Sequence, residues 1–85
     1  MANLGKYTIT TNEKGWTNLT TLANIGETVV IQNTKNACKV CDHATMPQDE
    51  GFIIPEGTLF EYTPGTILWV QPYGTKNYVD INVSS

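Results

Sequence analysis

Apolar and polar residues alternate with a period of two along much of this chain, and Gly, Pro and Asn interrupt the alternation every ~8–12 residues. The carboxyl end gives the clearest case, because Val79, Ile81 and Val83 alternate with polar residues and would share one face of a strand. We predict a strand over 77–83. No apolar repeat of 3.6 residues persists long enough to indicate a helix.

A central strand is predicted at 66–70, which is apolar on both faces and lies between Pro64 and Pro72. This placement puts Trp69 in the core. The segment 51–57 contains Pro55 and is predicted to be a loop or a brief edge strand. A turn is predicted at 12–15 and another at Met46-Pro47. The remaining predicted strands are 6–11, 16–19, 27–33, 38–43 and 59–62.

These elements predict a single all-β domain over 1–85, a small antiparallel β-sandwich or jelly-roll-like barrel of about seven short strands. Frequent Thr and Asn with sparse Ala and Leu agree with that class. A chain of 85 residues buries only ~60–65% of the surface that it exposes when unfolded, so its core is thin and a partner surface would stabilise it.

Charge and segment composition exclude several partner classes. The net charge is −3, and all five basic residues are lysines, so the bidentate arginine contacts common at nucleic-acid interfaces are missing. The amino terminus has no basic start followed by an apolar run, and no stretch approaches the ~18 apolar residues of a membrane span. We expect neither nucleic acid nor membrane as a partner.

The stretch CKVCDHATMP, 38–47, holds both cysteines and the only histidine. Cys38 and Cys41 have zinc-knuckle spacing, but a closed site needs four ligands, and only a carboxylate could join them and His43. Cys38, His43 and Met46 resemble the spacing of a blue-copper ligand loop, which requires a second histidine. A metal-binding domain that uses these four residues remains an alternative.

Strand geometry argues against joint chemistry of the two thiols. In an extended segment Cys38 and Cys41 point to opposite faces, and residues three apart are ~10 Å from each other, beyond the ~7 Å limit for a disulfide. No amphipathic helix follows Cys41, as a thioredoxin-like motif would need. We predict reduced cysteines that point apart, with no metal and no cofactor.

Catalytic constellations are missing from the sequence. The only serines, Ser84 and Ser85, end the chain, and there is no glycine-rich phosphate loop. Cys41 and His43 would share a strand face, but nothing signals an oriented base, an oxyanion donor or a pocket. We predict a protein that is not an enzyme and has no catalytic residues.

From Gly26 onward, several short segments follow one another in a characteristic order, namely 26–33, 44–47, 51–57, 62–65, 67–70 and 78–83. They comprise a strand of the form xxVxIQN, a loop, a glycine-bounded turn and an LWV core strand. In this order of features the chain resembles small β-sandwich virion proteins of tailed bacteriophages.

The resemblance implies a non-enzymatic virion structural protein, most simply a capsid decoration protein that binds the major capsid protein or another virion protein, or self-assembles as a homo-oligomer. It would be made in the host cytoplasm and reside in the virion. The alternative from a different class is a carbohydrate- or receptor-binding module of a tail or fibre, in which exposed Trp16, Tyr73 and Tyr78 would contact the ligand.

Overall fold

The computed structural model describes residues 3–10, 15–48 and 50–84, apart from the side chains of residues 3 and 4. Eight strands and one short helix follow one another along this part of the chain. They are β1 (Asn3–Thr10), β2 (Thr17–Asn18), α1 (Leu19–Leu22), β3 (Val29–Lys35), β4 (Cys38–Asp42), β5 (Phe52–Ile54), β6 (Leu59–Tyr62), β7 (Leu68–Pro72) and β8 (Tyr78–Ser84).

The strands form two four-stranded antiparallel sheets, which confirms the predicted β-sandwich. Sheet A has the order β1-β8-β3-β6, and sheet B has the order β2-β7-β4-β5. The central strands are therefore β8 and β3 in sheet A and β7 and β4 in sheet B. Strands β5 and β6 follow each other in the chain and lie at the edges of different sheets.

Inward-facing β-branched and aliphatic side chains fill the space between the sheets. In β8 the residues alternate between buried and half-buried, so Val79, Ile81 and Val83 face the core as the sequence predicts. Strand β7 contributes Leu68 and Val70. The other buried members are Ile9, Leu19, Ala23, Ile25, Val29, Ile31, Cys38, Val40 and Tyr62.

The strand count and some boundaries differ from the prediction. The segment 51–57 contains a true edge strand, β5, which brings the number of strands to eight. The predicted strand 16–19 ends after two residues, because Asn18 caps α1 by accepting a hydrogen bond from Thr21 N at 2.9 Å. A helix of four residues is too short to produce a 3.6-residue pattern. In the predicted turn 12–15, only Gly15 lies within the described residues.

The prediction that Trp69 belongs to the core is wrong. Trp69 lies between the core residues Leu68 and Val70, so strand alternation turns its ring to the outer face of sheet B, where it is half-buried. Its Nε1 donates to the carbonyl oxygen of His43 at 2.9 Å. The Trp69 ring therefore covers the end of β4, the strand that pairs directly with β7 in sheet B.

Candidate functional site

The two cysteines of CKVCDHATMP are both reduced, and they point away from each other as predicted. Cys38 is 1% exposed and packs in the core with Val40, whereas Cys41 is buried outside the core cluster, opposite Trp69 in the sheet register. Strand β4 is extended throughout this segment. The thiols therefore cannot bridge each other or share a ligand without rebuilding the strand.

Burial also lowers the reactivity of both thiols. Desolvation raises the pKa of Cys38 from 9.0 to about 12. Burial also raises the pKa of Cys41, and the nearby carboxylates of Glu50 and Asp42 add to the effect. Because the thiolate is the nucleophile and the metal ligand, neither cysteine is poised for catalysis or coordination near neutral pH.

The other polar residues of this stretch hold turns together. Asp42 Oδ1 accepts hydrogen bonds from the backbone N–H of Thr66, at 3.0 Å, and from its hydroxyl. His43 Nδ1 lies 3.2 Å from Thr45 N and 2.9 Å from Thr45 O, which closes a local turn. Within the described ranges, no three His, Cys, Asp or Glu side chains stand close enough to hold a metal ion.

The aromatic surface expected for a carbohydrate-binding module is incomplete. Trp16 is only 5% exposed, and it cannot offer its ring face to a sugar. Tyr73 is exposed beyond β7 in sheet B, while Tyr78 is half-buried at the start of β8 in sheet A. The expectation of three exposed aromatic residues is therefore wrong for Trp16, and of the other two only Tyr73 is exposed.

Exposed apolar side chains instead collect on strands β5 and β6. Phe52 is 74% exposed, Leu59 is 65% exposed and Ile53 is 50% exposed. Scattered single apolar residues are ordinary on a protein surface, but three of this size on two consecutive edge strands are not. We call this region, residues 52–62 with its exposed Phe52, Ile53 and Leu59, the β5–β6 edge.

Cross-strand register explains the exposure. Phe52 lies opposite Val40, on the core-facing side of sheet B, but no strand in the described ranges pairs with the other side of β5 to cover its ring. Ile53 lies opposite Lys39 and Leu59 opposite Gln32, both on outer faces. The β5–β6 edge therefore presents apolar groups between the sheets and on both of their outer faces.

The buried side chain of Asn33 holds the β5–β6 edge in place through hydrogen bonds. Its side chain is fully buried, and Nδ2 lies within hydrogen-bond distance of the carbonyl oxygens of Ile54, at 3.1 Å, and Pro55, at 2.9 Å. The Asn33 carbonyl accepts from Gly57 N at 2.7 Å. The turn between β5 and β6 is thus tied to the central strand β3, and the exposed apolar groups are held in place before any partner binds.

Three carboxylates lie in or next to the β5–β6 edge along the chain. Glu56 accepts a hydrogen bond from Asn36 N at 2.7 Å, and Glu50 accepts one from Gln48 N at 2.8 Å. Glu61 is exposed on the outer face of β6, opposite Val30. Lys39 lies opposite Ile53, so charged groups of both signs flank the exposed apolar residues.

Sequence reasoning missed the β5–β6 edge as a candidate site. The available signal was the run Phe52-Ile53-Ile54, three large apolar residues next to a proline that bars the segment from a central strand. An apolar run confined to an edge must remain partly exposed. That inference was open from the sequence, although the position of β6 at the edge of the other sheet was not.

Comparison with known proteins adds no relative: no protein family, no curated protein and no solved structure matches the chain significantly. Among the described residues, no helix is long and apolar enough to cross a bilayer.

Proposed function

We propose that this chain is a non-enzymatic virion structural protein that decorates a capsid, docking through the β5–β6 edge onto the major capsid protein or a neighbouring virion protein. The sequence resemblance suggests the assembly. The observation that carries the docking role is the exposure of Phe52, Ile53 and Leu59 on two edge strands that follow each other in the chain. Edge strands also carry unpaired backbone groups that can extend a neighbouring sheet.

The size of the protein agrees with a role on a larger assembly. Its accessible surface is 5003 Å², and a standard interface takes ~800 Å² from each partner, so one docking contact would cover about a sixth of it. A large apolar residue at the centre of such a contact commonly dominates its free energy. Phe52, the most exposed of the large apolar residues described, is the natural anchor.

Binding to undecorated capsids tests the proposal. Undecorated capsids assembled from the major capsid protein of the phage that carries this chain, as the proposal requires, are sedimented with the purified protein, and the bound fraction is measured against concentration. We expect saturable binding. Phe52→Ser and Leu59→Ser should each weaken binding at least about tenfold, because each removes an exposed apolar group without opening a core cavity.

Leu22→Ser is the matched control. Leu22 is also a large apolar residue with about half of its surface exposed, but it lies in α1, next to β2 at the opposite edge of sheet B from β5. It should bind capsids like the wild-type protein. Equal binding by all four proteins would exclude the β5–β6 edge, and no binding by any of them would overturn the decoration role.

A further inference from the structure

A second surface feature lies on the other side of sheet A from the core. A polar groove of about 140 Å³ runs over β1, β8 and β3, and Lys6, Thr8, Thr34, Asp80 and Asn82 contribute to its lining. The β5–β6 edge does not contribute to it. The groove is open to solvent, and strand β8 forms its floor.

The strand register creates the groove. On β8, Asp80 and Asn82 point to the outer face, and they lie opposite Thr8 and Lys6 of β1. On the other side the register of β3 shifts between Asn33 and Lys35, which makes Thr34 an extra residue beside Asp80. The bulge therefore forms one wall and β1 forms the other.

Hydrogen bonds already position the carboxylate in this groove. Thr8 Oγ1 donates to Asp80 Oδ1 at 2.7 Å, and Thr34 Oγ1 approaches the Asp80 carbonyl oxygen at 3.4 Å. Asn82, which lies opposite Lys6, also contributes to the lining.

The mixed charge of the lining selects the ligand chemistry. The carboxylate of Asp80 disfavours phosphate and other anions, and the ammonium group of Lys6 disfavours a simple cation. An uncharged ligand with adjacent hydroxyl groups fits both, because a hydroxyl donates to a carboxylate or amide oxygen and accepts from an ammonium group. Tyr78, half-buried two residues before Asp80, extends the same outer row with an aromatic ring.

We propose that this groove on sheet A binds one pyranose ring of a sugar, with a vicinal diol between Asp80 and Lys6. The small volume covers only one ring, so we expect a single sugar to bind weakly. The groove is separate from the β5–β6 edge, since none of its lining residues belongs to that edge, although Leu59 lies on the same outer face of sheet A.

Amide NMR of ¹⁵N-labelled protein tests the site directly. The probes are the methyl glycosides of glucose, galactose, mannose and N-acetylglucosamine, each followed by a matching disaccharide. We expect at least one probe to shift the amide signals of residues 6–8, 34 and 80–82 in a saturable manner. Tighter binding of the disaccharide would indicate a glycan as the natural source, and equal binding a free sugar.

Asp80→Asn is the decisive variant, because it keeps an oxygen for the Thr8 hydroxyl while it removes the charge. It should weaken sugar binding at least about tenfold, whereas Glu61→Gln, the same change on the outer face of β6, should leave it unaltered. The spectra themselves report whether each variant is folded. The site would be disproved by an absence of shifts with every probe, or by equal shifts in Asp80→Asn and wild type.

Discussion

Alkaline pH should destabilise this protein through one buried thiol. Cys38 is 1% exposed, and burial raises its pKa from 9.0 to about 12. Between these values the unfolded chain loses the proton and the folded protein keeps it. The stabilisation that comes from this difference in pKa is complete below pH 9 and is lost as the pH rises through 12. The free energy of unfolding should fall by about 3 kcal/mol at pH 11 and by about 4 kcal/mol in total.

This loss is large compared with the stability of a domain of this size. At ~0.05–0.15 kcal/mol per residue, the free energy of unfolding is ~4–13 kcal/mol. Urea denaturation followed by tryptophan fluorescence should be measured at pH 8, 9, 10 and 11 for wild type and for Cys38→Ala. The variant starts less stable, because it leaves a small cavity, but its further loss by pH 11 should be smaller by about 3 kcal/mol.

Cys41→Ala serves as the control, because it leaves the Cys38 thiol in place and should still show the alkaline loss due to Cys38. The pKa of Tyr62 is also raised by burial, and its contribution is common to all three proteins. Parallel stability curves for wild type and Cys38→Ala would refute the reasoning. They would mean that the Cys38 thiol reaches water far more easily than its position in the core allows.

Two further substitutions test how the β5–β6 edge is held. Asn33→Ala should lower the free energy of unfolding by at least about 2 kcal/mol in urea denaturation, because it strips two turn carbonyls of their donor; an unchanged stability would show that the turn does not depend on Asn33. Gly51→Ala should cost more than Gly74→Ala in the same assay, because both have positive φ but only at Gly51 would the new Cβ lie 2.6 Å from Val40 O. Equal costs would contradict this close approach.

Alternation along the chain was enough to predict the sandwich and the separation of the thiols. Strand β6 was predicted at its observed bounds and β8 within one residue, because both combine apolar alternation with clear turn signals. The opposite orientation of Cys38 and Cys41 follows from the two-residue period of a strand and needs no tertiary information.

Features that depend on which strands become neighbours were not available from the sequence. Trp69 lies in a run that is apolar on both faces, and only the packing of sheet A decides that Leu68 and Val70 face inward. The exposure of Leu59 depends on the position of β6 at the edge of its sheet, and the polar groove depends on strand order, on register and on a bulge in β3. None of these leaves a local pattern of its own.

Amide hydrogen exchange of the protein bound to capsids tests the central claim most directly. Exchange is compared between free and capsid-bound protein, peptide by peptide along the chain. If the β5–β6 edge is the docking surface, protection should increase in peptides covering 50–62, while α1 and β1 keep the exchange rates of the free protein. Capsid-dependent protection elsewhere with none over 50–62, or no protection at saturating capsid, would contradict the account.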